Sequence, residues 1–150
     1  MSGTDASEVA PQKSLSARSR RLSRQLAVGF ALFLAVAEIV RDWGDWGYWP
    51  FWVVDFLAAG LLLAGARASR REGGAAGSGG ALLSGAWGFA CAMFYMSFFS
   101  HLERLRADSA APDHGPLSHA RLAVAIGALF GVTVVGFVLS LGPFGRRGDR

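Results

Sequence analysis

The sequence predicts an all-α protein, an integral membrane bundle of four transmembrane helices. Four long apolar stretches are separated by short polar gaps, and each is about 15 to 20 residues long, close to the ~20 that a helix needs to cross a bilayer. None shows the polar stripe every 3.6 residues that marks a helix of a soluble bundle. Because lipid cannot hydrogen-bond a bare backbone, each crossing must be helical. The stretches are residues 26–40, 51–66, 81–99 and 122–141.

The composition supports the same class. The chain has 150 residues, of which 52% are apolar, so it has room for one four-helix bundle and little else. Its 20 glycines are consistent with membrane helices, in which glycine is more frequent than in soluble ones. The net charge of +4 requires no nucleic-acid partner, because the basic residues flank the apolar stretches. There they orient helices and meet anionic headgroups, so the predicted partner is the lipid bilayer.

The predicted layout is a membrane domain between two basic tails. Residues 1–24 are polar and rich in serine, which predicts a disordered tail. The glycine-rich segment 72–80 predicts a flexible linker, and residues 143–150 form the second tail. Within the domain, residues 25–142, the predicted spans are 25–42, 50–67, 81–100 and 120–141.

The basic residues predict the orientation. With four crossings, the first tail, the region after the second span and the C-terminus share one side of the membrane. These three regions contain eleven of the 15 lysines and arginines. The positive-inside rule therefore places both termini in the cytoplasm. The predicted location is the cytoplasmic (inner) membrane of a bacterium.

The first span has an alternative interpretation as a cleaved signal peptide. The apolar run ends in Ala35-Val36-Ala37, a small-residue cleavage pattern, and the pair Arg20-Arg21 is similar to a twin-arginine signal. Retention is favoured because residues 1–24 are long for a basic leader. Cleavage after Ala37 would leave three spans.

Aromatic residues cluster between the first and second spans. At this position tryptophan and tyrosine are typical of an interfacial belt, with the ring partly dry and the polar atom wet. A platform for stacking a ligand is the alternative. The cluster comprises Trp43, Trp46, Tyr48, Trp49, Phe51 and Trp52.

Small residues recur at helical spacing on every span. Such stripes allow close backbone approach, on which helix association in lipid depends. We expect an internal bundle, and the same faces would suit a homo-oligomer or another membrane protein. The stripes are Ala27, Ala31 and Ala35; Asp55, Ala59 and Ala66; Ser84, Gly88 and Ala92; Ala123, Gly127 and Gly131.

Polar residues near the outer ends of the spans form the candidate site. A carboxylate within hydrocarbon costs ~2.5–3.5 kcal/mol even on lenient insertion scales, so such a group should face the bundle, a partner or water. Glu38 has Arg41 three residues later, but Asp55 has no basic neighbour in its own segment. Asp55 is therefore expected either to pair with another helix or to bind a proton or ligand. The predicted cluster is Glu38, Arg41, Asp55, His101 and Glu103.

A metal site at the same level is a weaker hypothesis. His101, Glu103 and His119 offer imidazole and carboxylate ligands, which suit borderline metals. No HxxxH or ExxH spacing places them on one helical face, and no cofactor is predicted. The lone Cys91 excludes an internal disulfide or a CxxC redox pair.

No catalytic motif stands out, since the chain has neither a phosphate-binding loop nor a GxSxG elbow. The favoured function is a non-enzymatic structural, accessory or assembly subunit that acts through its helix faces. One alternative is a small transporter or proton-linked carrier that uses Glu38 and Asp55. Another is a membrane redox component that depends on a metal or a quinone.

Overall fold

The structure, a computed structural model, describes residues 6–42, 49–71, 78–108 and 116–141, with side chains over 18–40, 52–71, 78–106 and 120–141. All the described residues are helical, which confirms the predicted all-α class. The helices are α1 (Ala6–Asp42), α2 (Trp49–Arg71), α3 (Ser78–Asp108) and α4 (Pro116–Leu141).

Each helix contains a segment that is long and apolar enough to cross a membrane. These segments are Arg18–Val40, Trp52–Arg71, Ser78–Arg106 and Ala120–Leu141. They overlap the four predicted spans, and Pro50 lies in the first turn of α2, where its missing N–H has no helical partner to lose.

All four helices begin before their predicted spans, and two of these starts fall inside segments that were predicted to be a tail and a linker. α1 starts at Ala6, inside the tail predicted to be disordered, and α3 starts at Ser78, inside the predicted linker 72–80. Residues 6–28 contain no glycine and are rich in alanine, leucine, arginine and glutamine, which favour helix. The predicted C-terminal tail, residues 72–77 of the linker, and Trp43, Trp46 and Tyr48 of the aromatic cluster lie outside the described residues.

The four helices form a ring in which each packs against two others. α1 contacts α2 and α4, and α3 contacts the same two helices. Gly65 approaches Leu83 and Gly79 approaches Ala68, so α2 and α3 run antiparallel. The start of α1, the end of α2, the start of α3 and the end of α4 consequently lie together. We call this the arginine end, and the opposite one, with Glu38 and Asp55, the carboxylate end.

Small and aromatic side chains alternate in the core. Ala27 and Ala31 of α1 are fully buried, and Phe30 between them reaches the rings of α3. The Phe30 ring centroid lies 5.7 Å from that of Trp87 and 5.5 Å from that of Phe94. Such tilted and edge-on pairs are the favoured aromatic geometries. These contacts link α1 to α3 across the ring.

The core face of α3 differs from the small-residue stripe in its sequence. Leu83, Trp87 and Phe94 are buried, whereas Ala92 of the stripe is exposed. Gly136 of α4 makes room for the Trp87 ring, since a Cβ added there would lie 2.5 Å from it. Gly88 is half-buried, with Phe137 of α4 beside it.

Large apolar side chains cover the outside of all four helices. Val40 of α1 is 74% exposed and Val124 of α4 is 73% exposed. An apolar surface of this extent is unusual for a soluble monomer. The fold therefore suggests a multi-pass membrane protein.

Candidate functional site

Two of the three carboxylates of the predicted cluster, Glu38 and Asp55, belong to neighbouring helices. Glu38 on α1 is buried, with 4% of its surface exposed, and Asp55 on α2 is half-buried. Each has an interaction partner in the structure. The side chain of Arg41, the expected partner of Glu38, lies outside the described residues. Burial and partners fit the expectation that such groups avoid lipid.

The other predicted ligands are less enclosed. His101 is half-buried, and its Nδ1 lies 2.8 Å from the carbonyl oxygen of Ser97, one turn earlier in α3. If Nδ1 carries the proton and donates, Nε2 remains free to accept. Glu103 is exposed, and the side chain of His119 lies outside the described part of the chain.

The described residues contain no group of three or more histidines, cysteines, aspartates or glutamates that could hold a metal. The metal site that the sequence raised through His101, Glu103 and His119 therefore stays a prediction. Cys91 is a half-buried free thiol in the middle of α3.

At the arginine end, a buried serine joins three helices. Ser23 on α1 accepts a hydrogen bond from Trp87 Nε1 of α3 at 3.1 Å and donates to the carbonyl oxygen of Gly136 on α4 at 3.2 Å. A hydroxyl suits this position because it donates and accepts at once. One turn before, Ser19 donates to the Leu139 carbonyl oxygen at 3.0 Å. We call Ser23, Trp87 and Gly136 the serine junction.

A glycine makes the serine junction possible. A Cβ added to Gly136 would lie 2.5 Å from two atoms of the Trp87 ring, far inside van der Waals contact. Trp87 has no exposed surface, so its indole N–H needs a partner within the protein. Ser23 supplies it. This contact was not predicted from the sequence. The signal for it was the four-residue spacing of Ser19, Ser23 and Ala27, which extends the small-residue stripe of α1 toward the N-terminal tail.

An arginine of α1 hydrogen-bonds a backbone carbonyl at the C-terminal end of α2. Arg24 of α1 donates from Nη1 to the carbonyl oxygen of Ser69 at 3.4 Å. Ser69 lies among the last four residues of α2, whose carbonyls have no partner within their own helix. The hydroxyl of Ser69 turns back to the Ala66 carbonyl oxygen at 3.1 Å. The guanidinium also complements the partial negative charge at a helix C-terminus.

A groove of about 750 Å³ opens beside this contact, between α1 and α2. Four arginines line it, Arg21 and Arg24 from α1 and Arg67 and Arg70 from α2. In the sequence these arginines appear as separate flanking charges, and one shared surface was not predicted. The signal was their spacing: each pair lies three residues apart, so both members share a helix face.

The buried polar side chains of the described bundle are hydrogen-bonded. No fully buried side-chain nitrogen or oxygen there lacks a hydrogen-bond partner. The Ser23 hydroxyl bonds an indole and a carbonyl, and neither can act as the base that a nucleophilic serine needs. Comparison of the chain with protein-family models, with curated proteins and with solved structures found no match.

Proposed function

We propose that this chain is a multi-pass protein of a bacterial inner membrane that keeps its first helix and has both termini in the cytoplasm. The exposed apolar side chains on all four helices support insertion. The arginines of α1 and α2 at one end support the orientation, through the positive-inside rule. Ala27, Ala31 and Phe30 of α1 supply part of the core, and this supports retention of the first helix.

Within the membrane, the function that we propose is that of a non-enzymatic accessory or assembly subunit. The observation that supports it is that the glycines fall into two sets, those packed tightly against a neighbouring helix and those with open space at the Cβ position. Gly65, Gly79, Gly127 and Gly136 each meet a neighbouring helix at a distance that leaves no room for a Cβ. A second set faces open space, and it comprises Gly29, Gly60, Gly80, Gly85 and Gly131. The first set closes the bundle, and the second leaves positions where another helix can approach closely.

α4 offers the best docking face of this kind. Only 17% of its membrane-length segment is buried, against 28–33% for the other three. Ala125, Ala128 and Gly131 are all exposed on it. Close approach of a partner helix needs such small residues, and Val135 beside them would supply van der Waals contact. We propose this α4 face as the surface that binds a partner subunit or a second copy.

Site-specific photocrosslinking in native membranes tests the subunit role. A photoreactive residue replaces Gly131 in one sample and the exposed Val54 of α2 in the control. We expect one discrete protein adduct from position 131, identified by mass spectrometry as a partner or a second copy, and none from position 54. Gly131→Leu should abolish co-purification of that protein, whereas Gly29→Leu should retain it. A monomer without any adduct would contradict the proposal.

A second function is favoured by one observation, the burial of Glu38 inside the bundle. Buried carboxylates in membrane helices often mark proton or cation paths. A carrier of this kind should show proton flux in proteoliposomes that Glu38→Gln or Asp55→Asn abolishes and that the exposed-site control Glu103→Gln preserves. Flux that Asp55→Asn leaves unchanged would remove the argument for a carrier.

A further inference from the structure

The groove between α1 and α2 has a chemistry that no step of the proposed subunit role uses. We propose that it binds the headgroup of an anionic phospholipid with two phosphodiesters, of the cardiolipin type, in the inner leaflet. This inference rests on the proposed membrane insertion and orientation. It does not depend on the subunit role or on a partner at α4.

The charge of the groove points to an anion. Arg21, Arg24, Arg67 and Arg70 line it, and no acidic residue does. Guanidinium groups bind phosphate oxygens with paired, charge-assisted hydrogen bonds. Basic pockets between membrane helices on the cytoplasmic side are suited to the headgroups of multiply charged lipids. One phosphodiester has a single negative charge and cannot neutralise four guanidinium groups. In a lipid with two phosphodiesters, each phosphate would have a pair of arginines.

The side chain of one groove arginine is already restrained before a ligand binds. Arg24 is only half-exposed, and its Nη1 is bonded to the Ser69 carbonyl oxygen at 3.4 Å. A guanidinium has five N–H donors, so this bond leaves others for a ligand. A side chain that is already restrained loses less conformational entropy when the ligand binds.

The groove changes from basic to apolar along its length. On α1 it runs from Arg21 to Val28, and on the antiparallel α2 from Arg70 to Leu63. Seven residues of helix rise ~10 Å, which is about the depth over which a membrane passes from headgroup to acyl chain. Val28 is 40% exposed and Leu63 39% exposed, so both can contact acyl chains. A free phosphate would use only the basic half.

The size agrees with an extended ligand. A volume of about 750 Å³ lies in the range of sites for drug-sized molecules and is far larger than an inorganic anion needs. The groove therefore fits a lipid headgroup together with the first part of its chains. Charge, polarity gradient and volume all favour the same occupant.

Native mass spectrometry of the full chain in neutral detergent tests this inference. The probes are tetraoleoyl cardiolipin, dioleoyl phosphatidylglycerol, dioleoyl phosphatidylcholine and inorganic phosphate. We expect cardiolipin to bind most tightly and phosphatidylcholine and phosphate not to saturate. The double variant Arg21→Gln/Arg70→Gln should weaken cardiolipin binding about 30-fold, at roughly a factor of five for each arginine. It keeps Arg24 and its bond to α2.

The matched control is Arg18→Gln/Arg71→Gln, which removes the same charge from two exposed arginines at the same end but outside the groove. It should bind cardiolipin within about twofold of the parent chain. Equal loss in both double variants, equal binding of phosphatidylglycerol, or competition by inorganic phosphate would overturn the inference and leave membrane insertion standing. Release of the parent chain from membranes by alkaline carbonate would overturn both proposals.

Discussion

The two ends of the bundle hold their polar groups in different ways. At the arginine end, Ser23 and Arg24 reach across to other helices, with hydrogen bonds to α3, α4 and α2. At the carboxylate end, His101 bonds a carbonyl of its own helix and Glu103 is exposed. Of the two carboxylates described on α1 and α2 at this end, Glu38 is buried and Asp55 is half-buried, and each has an interaction partner.

This difference separates residues that hold the helices together from residues that are candidates for a chemical role. Bonds between helices far apart in sequence fix how the four helices meet, so the arginine end should set the stability of the bundle. At the carboxylate end, His101 is half-buried and Glu103 is exposed, so substitutions of these two residues should disturb packing less. Substitutions at the serine junction should therefore lower the free energy of unfolding more than substitutions of His101 or Glu103.

The largest effect is expected for Gly79→Ala. A Cβ at Gly79 would lie 2.6 Å from the backbone of Ala68 and Ser69, which cannot move as a flexible side chain can. We expect the free energy of unfolding in detergent to fall by about 1–3 kcal/mol or more. The neighbouring Gly80 has open space around its Cβ position, so Gly80→Ala is a matched control. It should be neutral or stabilising by up to about 1 kcal/mol. Equal losses in both variants would contradict this packing.

Gly136→Ala should follow closely, since its Cβ would overlap the Trp87 ring. The ring can shift slightly, but only by straining its bond to Ser23. We expect a loss of about 1–3 kcal/mol and a changed tryptophan fluorescence spectrum. On the same helix, a Cβ at Gly131 would meet nothing within 4 Å, so Gly131→Ala should leave the spectrum unchanged and be neutral or stabilising by up to about 1 kcal/mol. An unchanged spectrum in Gly136→Ala would place Trp87 elsewhere.

Ser23→Ala removes the acceptor of the buried Trp87 N–H. Leaving such a donor without a partner costs about 1–3 kcal/mol. The control is Ser140→Ala, because Ser140 donates only to Phe137 one turn earlier in α4. That loss should stay below about 1 kcal/mol. In a double-mutant cycle with Trp87→Phe, the two changes at the serine junction should be strongly non-additive. Additive losses would show that the bond contributes nothing.

The smallest effects are expected at the carboxylate end. Glu103 is exposed, so Glu103→Gln should change the free energy of unfolding by less than about 0.5 kcal/mol. His101→Asn loses one local bond and should cost less than about 1 kcal/mol. Thermal unfolding of both variants beside Ser23→Ala measures the contrast directly. A larger loss of stability in Glu103→Gln or His101→Asn than in Ser23→Ala would contradict the difference proposed between the two ends.

Sequence reasoning recovered the helices more completely than the contacts. Apolar runs predict membrane-length helices because the bilayer thickness constrains their length. The stripe Ala27, Ala31, Ala35 correctly indicated the inward face of α1, since Ala27 and Ala31 are fully buried. The early start of α1 was missed because polar, serine-rich sequence resembles a tail even where its residues favour helix.

The serine junction could not be predicted in the same way. Ser23 and Gly136 are 113 residues apart, and Ser23 and Trp87 are 64 apart. Which residues meet depends on how α1, α3 and α4 are rotated about their axes. On α3 the small-residue stripe does not mark the buried face, since Ala92 is exposed. Trp87 fills space that Gly136 of α4 leaves open, and Phe94 packs edge-on against Phe30 of α1.

The central claim is that four helices cross the membrane and bring both ends of the chain to the cytoplasm. Paired reporters at the N- and C-termini, one active only in the cytoplasm and one only in the periplasm, test it most directly. We expect cytoplasmic reporter activity at both ends and periplasmic activity at neither. Termini on opposite sides of the membrane would contradict this arrangement, because the start of the α1 span and the end of α4 lie together in the bundle, where Ser19 bonds Leu139.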